Sequence, residues 1–297
     1  MAYDERVLKY APWSISKANL MGLCLRQGGF KYVDKFKEGK KSTQSRVGTV
    51  AHAVLEAARK VTFDVETLTE EARRICVRDE LSHDETVEIL SKVPGILDYV
   101  RRVNAFKAEH GVARELIEYQ LAMDENGNGV PFFDKRAFFR GVIDDGLWTS
   151  DDVLVMIDHK SGRKKPIREH STQFYAYMGL AVANFPALRG VQPAINYFGE
   201  PKLDWFPRFD GSGGPWRREE IVQHVFPWLE TYLNKLSKRL LVLDTGSPNP
   251  ETGWQCEYCG YVDRCPEGTA HAAARKAKRG DDPLLAHLLA VLLSPNL

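Results

Sequence analysis

The sequence predicts one mixed α/β domain with helical additions. Two observations carry this expectation. Apolar residues recur at helical spacing early in the chain, from Thr49 to Lys60 and again across residues 66–110. From Leu116 the pattern switches to short apolar or alternating runs bounded by turn residues, then returns to helical spacing. The resulting order is helices, three strands, a helix, more strands and a helix, which suits a mixed sheet with helices against it.

The elements follow in chain order. Residues 1–46 read as a mixed arm that turns basic at Lys35, Lys37, Lys40 and Lys41. A helix is expected over Thr49–Lys60 and further helices over 66–110. There Val87, Leu90, Val93 and Leu97 are about one turn apart, and Pro94-Gly95 is expected to interrupt. Leu116–Met123 alternates as a strand, and Asp124–Gly129 is rich in turn residues. Ala137–Trp148 and Val153–Ile157 read as strands joined across Thr149–Asp152, with Ser161-Gly162 closing the second. A helix follows over Ser171–Ala183, then strands near Ala194–Phe198 and Leu203–Phe209. Glu219–Leu243 reads as one long helix with a kink at Pro227. An alanine-rich basic helix from His271 and an apolar segment, Leu284–Leu293, end the chain.

Composition narrows the function classes. The 297 residues show no internal repeat, and 43% hydrophobic with 27% charged residues suits a globular core. No apolar run is long enough to span a bilayer, so no membrane partner is expected. Met1–Lys9 lacks a signal-peptide apolar region, and a cytoplasmic location is expected. The net charge of only +1 means that any nucleic-acid site must be a local basic patch. Five cysteines, an odd number, argue against a disulfide framework in that compartment.

The most informative segment is Val155-Met156-Ile157-Asp158-His159-Lys160-Ser161-Gly162. On a strand, Asp158 and Lys160 point to one face, because side chains alternate with period two. The carboxylate suits a hard cation, and the ammonium can position a water and stabilise charge on a phosphate. An isolated D-x-K is more often a surface ion pair. Here Phe139-Arg140-Gly141-Val142-Ile143-Asp144 supplies a second carboxylate in the partner strand. A hairpin across Thr149–Asp152 would bring Asp144 beside Asp158, and two converging carboxylates call for a cation. Asp145 falls on the opposite face. His52 and Glu56 share a helix face, as do Gln173 and Tyr177 on the helix after Lys160. Taken singly, His52 reads as a core or capping residue and Gln173/Tyr177 as an amphipathic boundary.

Three further cysteines crowd into Cys256-Glu257-Tyr258-Cys259 and Cys265-Pro266, a C-x2-C-x5-C pattern. Such close thiolates demand a soft metal with a fourth ligand from elsewhere, for which Cys24 is the candidate. Zinc is the rival occupant. Cys76 lies in a helical stretch and reads as a buried small hydrophobe.

The elements G-x-x-x-H-x-x-L-E, G-x-I-D, D-x-K and Q-x-x-x-Y occur in that order from Gly48 to Tyr177. Their order and neighbouring residues resemble the PD-(D/E)xK nuclease superfamily in its RecB-like branch, from about Ser14 to Cys265. The cysteines resemble the iron–sulfur members of that branch, such as the AddB nuclease domain and the Cas-four-type CRISPR-associated exonucleases. The resemblance implies a restriction-endonuclease-like core over residues 47–200 of a single nuclease domain. It implies an iron–sulfur subdomain from residues 14–32 with 250–268, and a helical tail over 269–297. It further implies that His52, Asp144, Asp158 and the backbone carbonyl of His159 bind Mg²⁺ or Mn²⁺. Lys160 would be the catalytic lysine, Gln173 and Tyr177 would line the DNA groove, and Cys24, Cys256, Cys259 and Cys265 would hold a [4Fe–4S] cluster.

The basic run Arg163-Lys164-Lys165 with Arg168 directly follows this site, which makes it the expected phosphate contact. Tyr32, Phe174 and Tyr175 are candidates to stack on bases, with core packing as their default. The function expected is a metal-dependent DNA exonuclease acting on ends or single strands, in recombination, repair or DNA processing. The alternatives are a non-catalytic DNA-binding scaffold on the same fold and a zinc-stapled interaction module.

Overall fold

The computed structural model describes residues 1–39, 42–246 and 248–279. Lys40, Lys41 and the apolar segment Leu284–Leu293 lie outside them. The chain divides into two compact units, one of Met1–Ile15 with Thr43–Lys235, the other of Ser16–Ser42 with the chain from Leu236 onward. In order, the elements are α1 (Glu5–Lys9), α2 (Ile15–Leu23), α3 (Leu25–Tyr32), α4 (Thr43–Lys60), α5 (Val65–Arg78) and α6 (His83–His110). There follow β1 (Val112–Met123), β2 (Gly129–Val130), β3 (Phe139–Thr149), β4 (Val153–Lys160), α7 (Ser171–Asn184), β5 (Gly190–Tyr197), β6 (Asp204–Trp205) and β7 (Trp216–Arg217). The last helices are α8 (Arg218–Asn234), α9 (Ser237–Thr245) and α10 (Pro266–Arg279).

The first unit is built on a mixed sheet in the order β2-β1-β3-β4-β5-β6, with β7 also paired to β5. Among the described strands, only β4 and β5 run parallel, which their connection through α7 permits. Every residue of β5 is buried, as a central strand covered on both faces must be. On one face, Leu147, Val155, Ile157 and Ala194 pack with the apolar sides of α4, α5 and α6, and Cys76 is buried in this cluster. The helix α7 buries Phe174, Met178 and Leu180. The fold is therefore the mixed α/β arrangement that the sequence predicts, with a restriction-endonuclease-like core. Among the described residues, no helix is long and apolar enough to cross a membrane.

Several elements differ from expectation for physical reasons. Residues 1–39 and 42–46, which the sequence reads as a mixed arm, are largely helical. Trp13 joins the sheet by donating its N–H to Phe138 O at 2.7 Å and accepting from Arg140 N at 2.8 Å. Helix α6 runs uninterrupted through Pro94. Ser82 and Glu85 cap it reciprocally, and Ile89, Val93, Ile96 and Leu97 are buried along it. That burial outweighs the proline penalty of about 3 kcal/mol. Gly95 is required for a different reason. A Cβ there would lie 2.6 Å from the backbone N of Gly199, so only glycine lets the chain after β5 pass the helix. The segment Glu219–Leu243 is two helices, and Pro227 lies inside the first. The strand expected over Leu203–Phe209 shortens to two residues.

Asp145 faces α4, as alternation demands, and is fully enclosed. Arg59 Nε donates to Asp145 Oδ2 at 2.7 Å and its Nη2 to Oδ1 at 3.2 Å. Tyr99 Oη donates to the same carboxylate at 2.8 Å. Arg59→Ala would strand a buried carboxylate, so a loss of about 3–5 kcal/mol is expected. Urea unfolding should show this as a lower midpoint at unchanged slope. A loss below about 1 kcal/mol would mean that water already solvates Asp145.

Candidate active site

The register of the sheet assembles the site. Between β1 and β3, Ile117 pairs Asp145 and Tyr119 pairs Ile143, so Glu118 stands opposite Asp144. Between β3 and β4, Asp145 pairs Ile157, which places Asp144 across from Asp158. Three carboxylates thus fall in one row across three strands, and same-row residues share a face. Glu118 has φ +47°, a left-handed backbone that a non-glycine residue adopts only under constraint.

Helix α4 brings His52 to this row. Its Nε2 lies 3.0 Å from the carbonyl oxygen of His159. Its Nδ1 lies 3.6 Å from Asp144 Oδ2 and 3.9 Å from Glu118 Oε1. Ligand atoms of His52, Glu118 and Asp144 all lie within 4.8 Å of one another, a donor set suited to a divalent cation. The backbone N–H of His159 donates to Asp144 Oδ2 at 2.9 Å, tying β4 to β3 at this point.

On α7, Gln173 orients the other half. Its Nε2 donates to Asp158 Oδ1 at 2.6 Å, and its Oε1 accepts from Lys160 Nζ at 3.5 Å. Lys160 Nζ lies 2.7 Å from Asp158 Oδ2. Tyr177 sits one turn further along the helix. A Cβ at Gly141 would approach its ring carbon Cε1 to 2.7 Å, so the glycine of the G-x-I-D run lets the ring lie against β3. Burial and the nearby Asp144 and Asp158 charges raise the tyrosine pKa, so the hydroxyl stays protonated.

Electrostatics follow from this crowding. Burial and the charge of Asp158 push the Asp144 carboxyl up to about 7. Burial alone would lower the pKa of His52, but Glu118, Asp144 and Asp158 together raise it. The ring of His159 is buried and held neutral. Asn196 donates to its Nδ1 at 3.2 Å, and Tyr99 meets it edge-on at 4.7 Å. That packing holds the segment whose carbonyl and N–H face His52 and Asp144.

The structure brings together His52, Asp144, Asp158, His159, Lys160, Gln173 and Tyr177. Arg163, Lys164, Lys165 and Arg168 are exposed just beyond β4. Lys164 Nζ pairs with Asp204 Oδ1 at 2.7 Å, and Lys165 N–H donates to Tyr197 Oη at 3.0 Å. Sequence reasoning missed Glu118. Its sole signal was its place in an alternating strand, which is no motif. Phe174 is fully buried and Tyr175 packs against Phe206, Trp216 and Trp228, so their core role prevails over stacking.

In the second unit, Cys24, Cys256, Cys259 and Cys265 line one small cavity. Cys24 caps α3, Cys256 and Cys259 sit at a 3-10 turn, and Cys265 precedes α10. Arg26 Nη1 approaches Cys265 Sγ at 3.9 Å and pairs with Glu267 at 2.9 Å. Burial and the three neighbouring cysteines push the Cys259 thiol up. Four thiols around one space form a soft donor set.

Residues 12–266 match the family described as the PD-(D/E)XK nuclease superfamily. The chain belongs to that superfamily, whose members are nucleases. No curated protein matches the chain. Among solved structures, it is similar to one described as "Crystal structure of SSO0001", with 15% identity over 74% of this chain and 95% of that one. The TM-score is 0.32.

The raised Asp144 pKa has a consequence for stability. An unfolded aspartate titrates near pH ~3.9, whereas folded Asp144 holds its proton to about 7. Between these values the folded state binds the extra proton, so metal-free stability falls as pH rises through that window. His52, also raised, contributes with the same sign as pH climbs past its folded value. Asp144→Asn should flatten the fall, and divalent metal should oppose it while releasing protons on binding. Thermal melts across this window, with chelator and with metal, measure both effects. Equal pH dependence in wild type and Asp144→Asn would contradict the assignment.

Proposed function

We propose that the protein is a Mg²⁺- or Mn²⁺-dependent DNA exonuclease acting on ends or single strands. The observation that carries this reading is the meeting of Asp144, Asp158 and Lys160 on adjacent strands beside His52. His52, Asp144, Asp158 and the His159 carbonyl would hold the metal, with Glu118 as an additional carboxylate. Bound there, a divalent ion would supply Lewis-acid polarisation of a phosphate and a lowered pKa for a water molecule. Lys160, steered by Asp158 and Gln173, presents its ammonium to the charge that develops on the phosphate. Gln173 and Tyr177 line the groove, and Arg163, Lys164, Lys165 and Arg168 bind the backbone beyond it. The role is DNA recombination, repair or processing in the cytoplasm.

Cleavage of end-labelled linear DNA, single- and double-stranded, against circular single strands tests the reading. Linear single strands should be degraded with metal and circles spared. Lys160→Ala should lose roughly 10²–10³-fold in rate while metal affinity, read by calorimetry, is retained. Circles cut as fast as linear strands would exclude exonuclease action. Metal-bound, DNA-bound protein without cleavage would leave the scaffold reading instead.

We further propose that the four cysteines hold a [4Fe–4S] cluster. The closed set of soft donors and the Cys-Pro ending support it. Held by Cys24 on one side and three cysteines more than two hundred residues later on the other, it would close a long loop. Anaerobically purified protein should be brown and contain iron with acid-labile sulfide. Cys256→Ala should lose the colour and much of the soluble yield. Colourless protein with stoichiometric zinc would establish the zinc-stapled alternative.

A further inference from the structure

Gln173 carries two contacts at the active site, yet it sits in the uncapped start of its helix. It belongs to the first turn of α7, which begins at Ser171. His170 before it makes no side-chain cap bond, and the turn holds no acidic residue. First turns keep unpaired N–H groups and fray unless they are held. From this turn Gln173 donates to Asp158 at 2.6 Å and accepts from Lys160 at 3.5 Å. The buried ring of Phe174 holds the helix body. Apolar packing is non-directional, however, and does not by itself aim an amide to hydrogen-bond precision.

A polar anchor for this turn comes from the sheet. Tyr197 is the last residue of β5, and it is buried. The parallel ladder pairs Asp158 with Ile195 and Lys160 with Tyr197. Tyr197 therefore lies on the face that carries Asp158 and Lys160. Its Oη lies 3.1 Å from His170 Nε2 and accepts the N–H of Lys165 at 3.0 Å. A hydroxyl can serve both, because it donates one hydrogen bond and accepts others. The connection from β4 to α7 runs from Ser161 to His170. One buried hydroxyl thus grips it at Lys165 and again at its last residue. The bond from Ser171 Oγ to Arg168 O, 2.6 Å, is local and does not reach the sheet.

We infer that Tyr197 is a positioning residue: through His170 it sets the first turn of α7 so that Gln173 bridges Asp158 and Lys160. The inference deepens the nuclease reading above and rests on it for what the bridge does. The bridge needs one amide orientation, with Nε2 toward Asp158 and Oε1 toward Lys160. A shift of about 1 Å at the helix start would carry those atoms out of hydrogen-bond range. Lys160 would then keep its Asp158 partner but lose the contact that aims its ammonium.

Two measurements on the full-length protein test this. The first observes the Gln173 side-chain amide by NMR in metal-free protein labelled with ¹⁵N-glutamine, the resonance being identified by its loss in Gln173→Ala. Tyr197→Phe keeps the buried ring and removes the hydroxyl, so that resonance should shift while the thermal midpoint stays nearly unchanged. His170→Ala, at a half-buried position, should move it the same way. The second is single-turnover cleavage of end-labelled DNA with Mn²⁺ and protein in excess. Tyr197→Phe should slow it roughly 10- to 100-fold. Tyr197→Phe combined with Gln173→Ala should be no slower than Gln173→Ala alone, because both remove one bridge. An unmoved Gln173 resonance in both variants, or losses of rate that multiply, would overturn the positioning role and leave the nuclease reading standing. Wild-type protein that cuts no DNA would overturn the nuclease reading, and the Gln173 resonance would still decide whether Tyr197 holds the turn.

Discussion

The rest of this structure depends on a row of carboxylates that the sheet cannot spread apart. Glu118, Asp144 and Asp158 occupy the same row of β1, β3 and β4, and the ladder hydrogen bonds set their spacing. Like charges at that spacing repel, and burial deepens the cost. The chain relieves it in part. Lys160 and Gln173 engage Asp158, while His52 approaches Asp144 and Glu118. The relief is incomplete, since the Asp144 carboxyl is still pushed up to about 7. A divalent cation between these carboxylates would relieve the repulsion and displace the Asp144 proton.

That row is held from behind. Asp145, one residue on, faces the other way and is locked by Arg59 and Tyr99. Tyr99 also packs on the His159 ring, and Asn196 bonds that ring from β5. The two sides of the sheet thus have separate tasks. One carries the carboxylate row, and the other anchors the strands in the register that creates it. A buried ion pair adds little net stability by itself, but here it pins β3 to α4 next to Asp144.

The second unit shows the same economy of placement. Its thiols come from sites far apart in sequence, Cys24 at the start of a helix and three in short turns before another. Short turns allow sulfur atoms to converge because they impose no long-range periodicity. Arg26 then brings its guanidinium near Cys265.

Sequence alone determined what local periodicity encodes. The α4 helix, the β3–β4 hairpin and α7 were legible because apolar spacing and turn residues specify them. The placement of Asp144, Asp158 and Lys160 on one face followed from period two. The C-x2-C-x5-C run was legible because its members are neighbours. What the sequence could not show depended on contacts between distant segments. Glu118 belongs to no motif, and only strand pairing sets it opposite Asp144. Pro94 sits in a continuous helix because burial of its neighbours overrides a local penalty. Local propensity is written in adjacent residues, whereas register, burial and exposure arise only when the chain closes on itself.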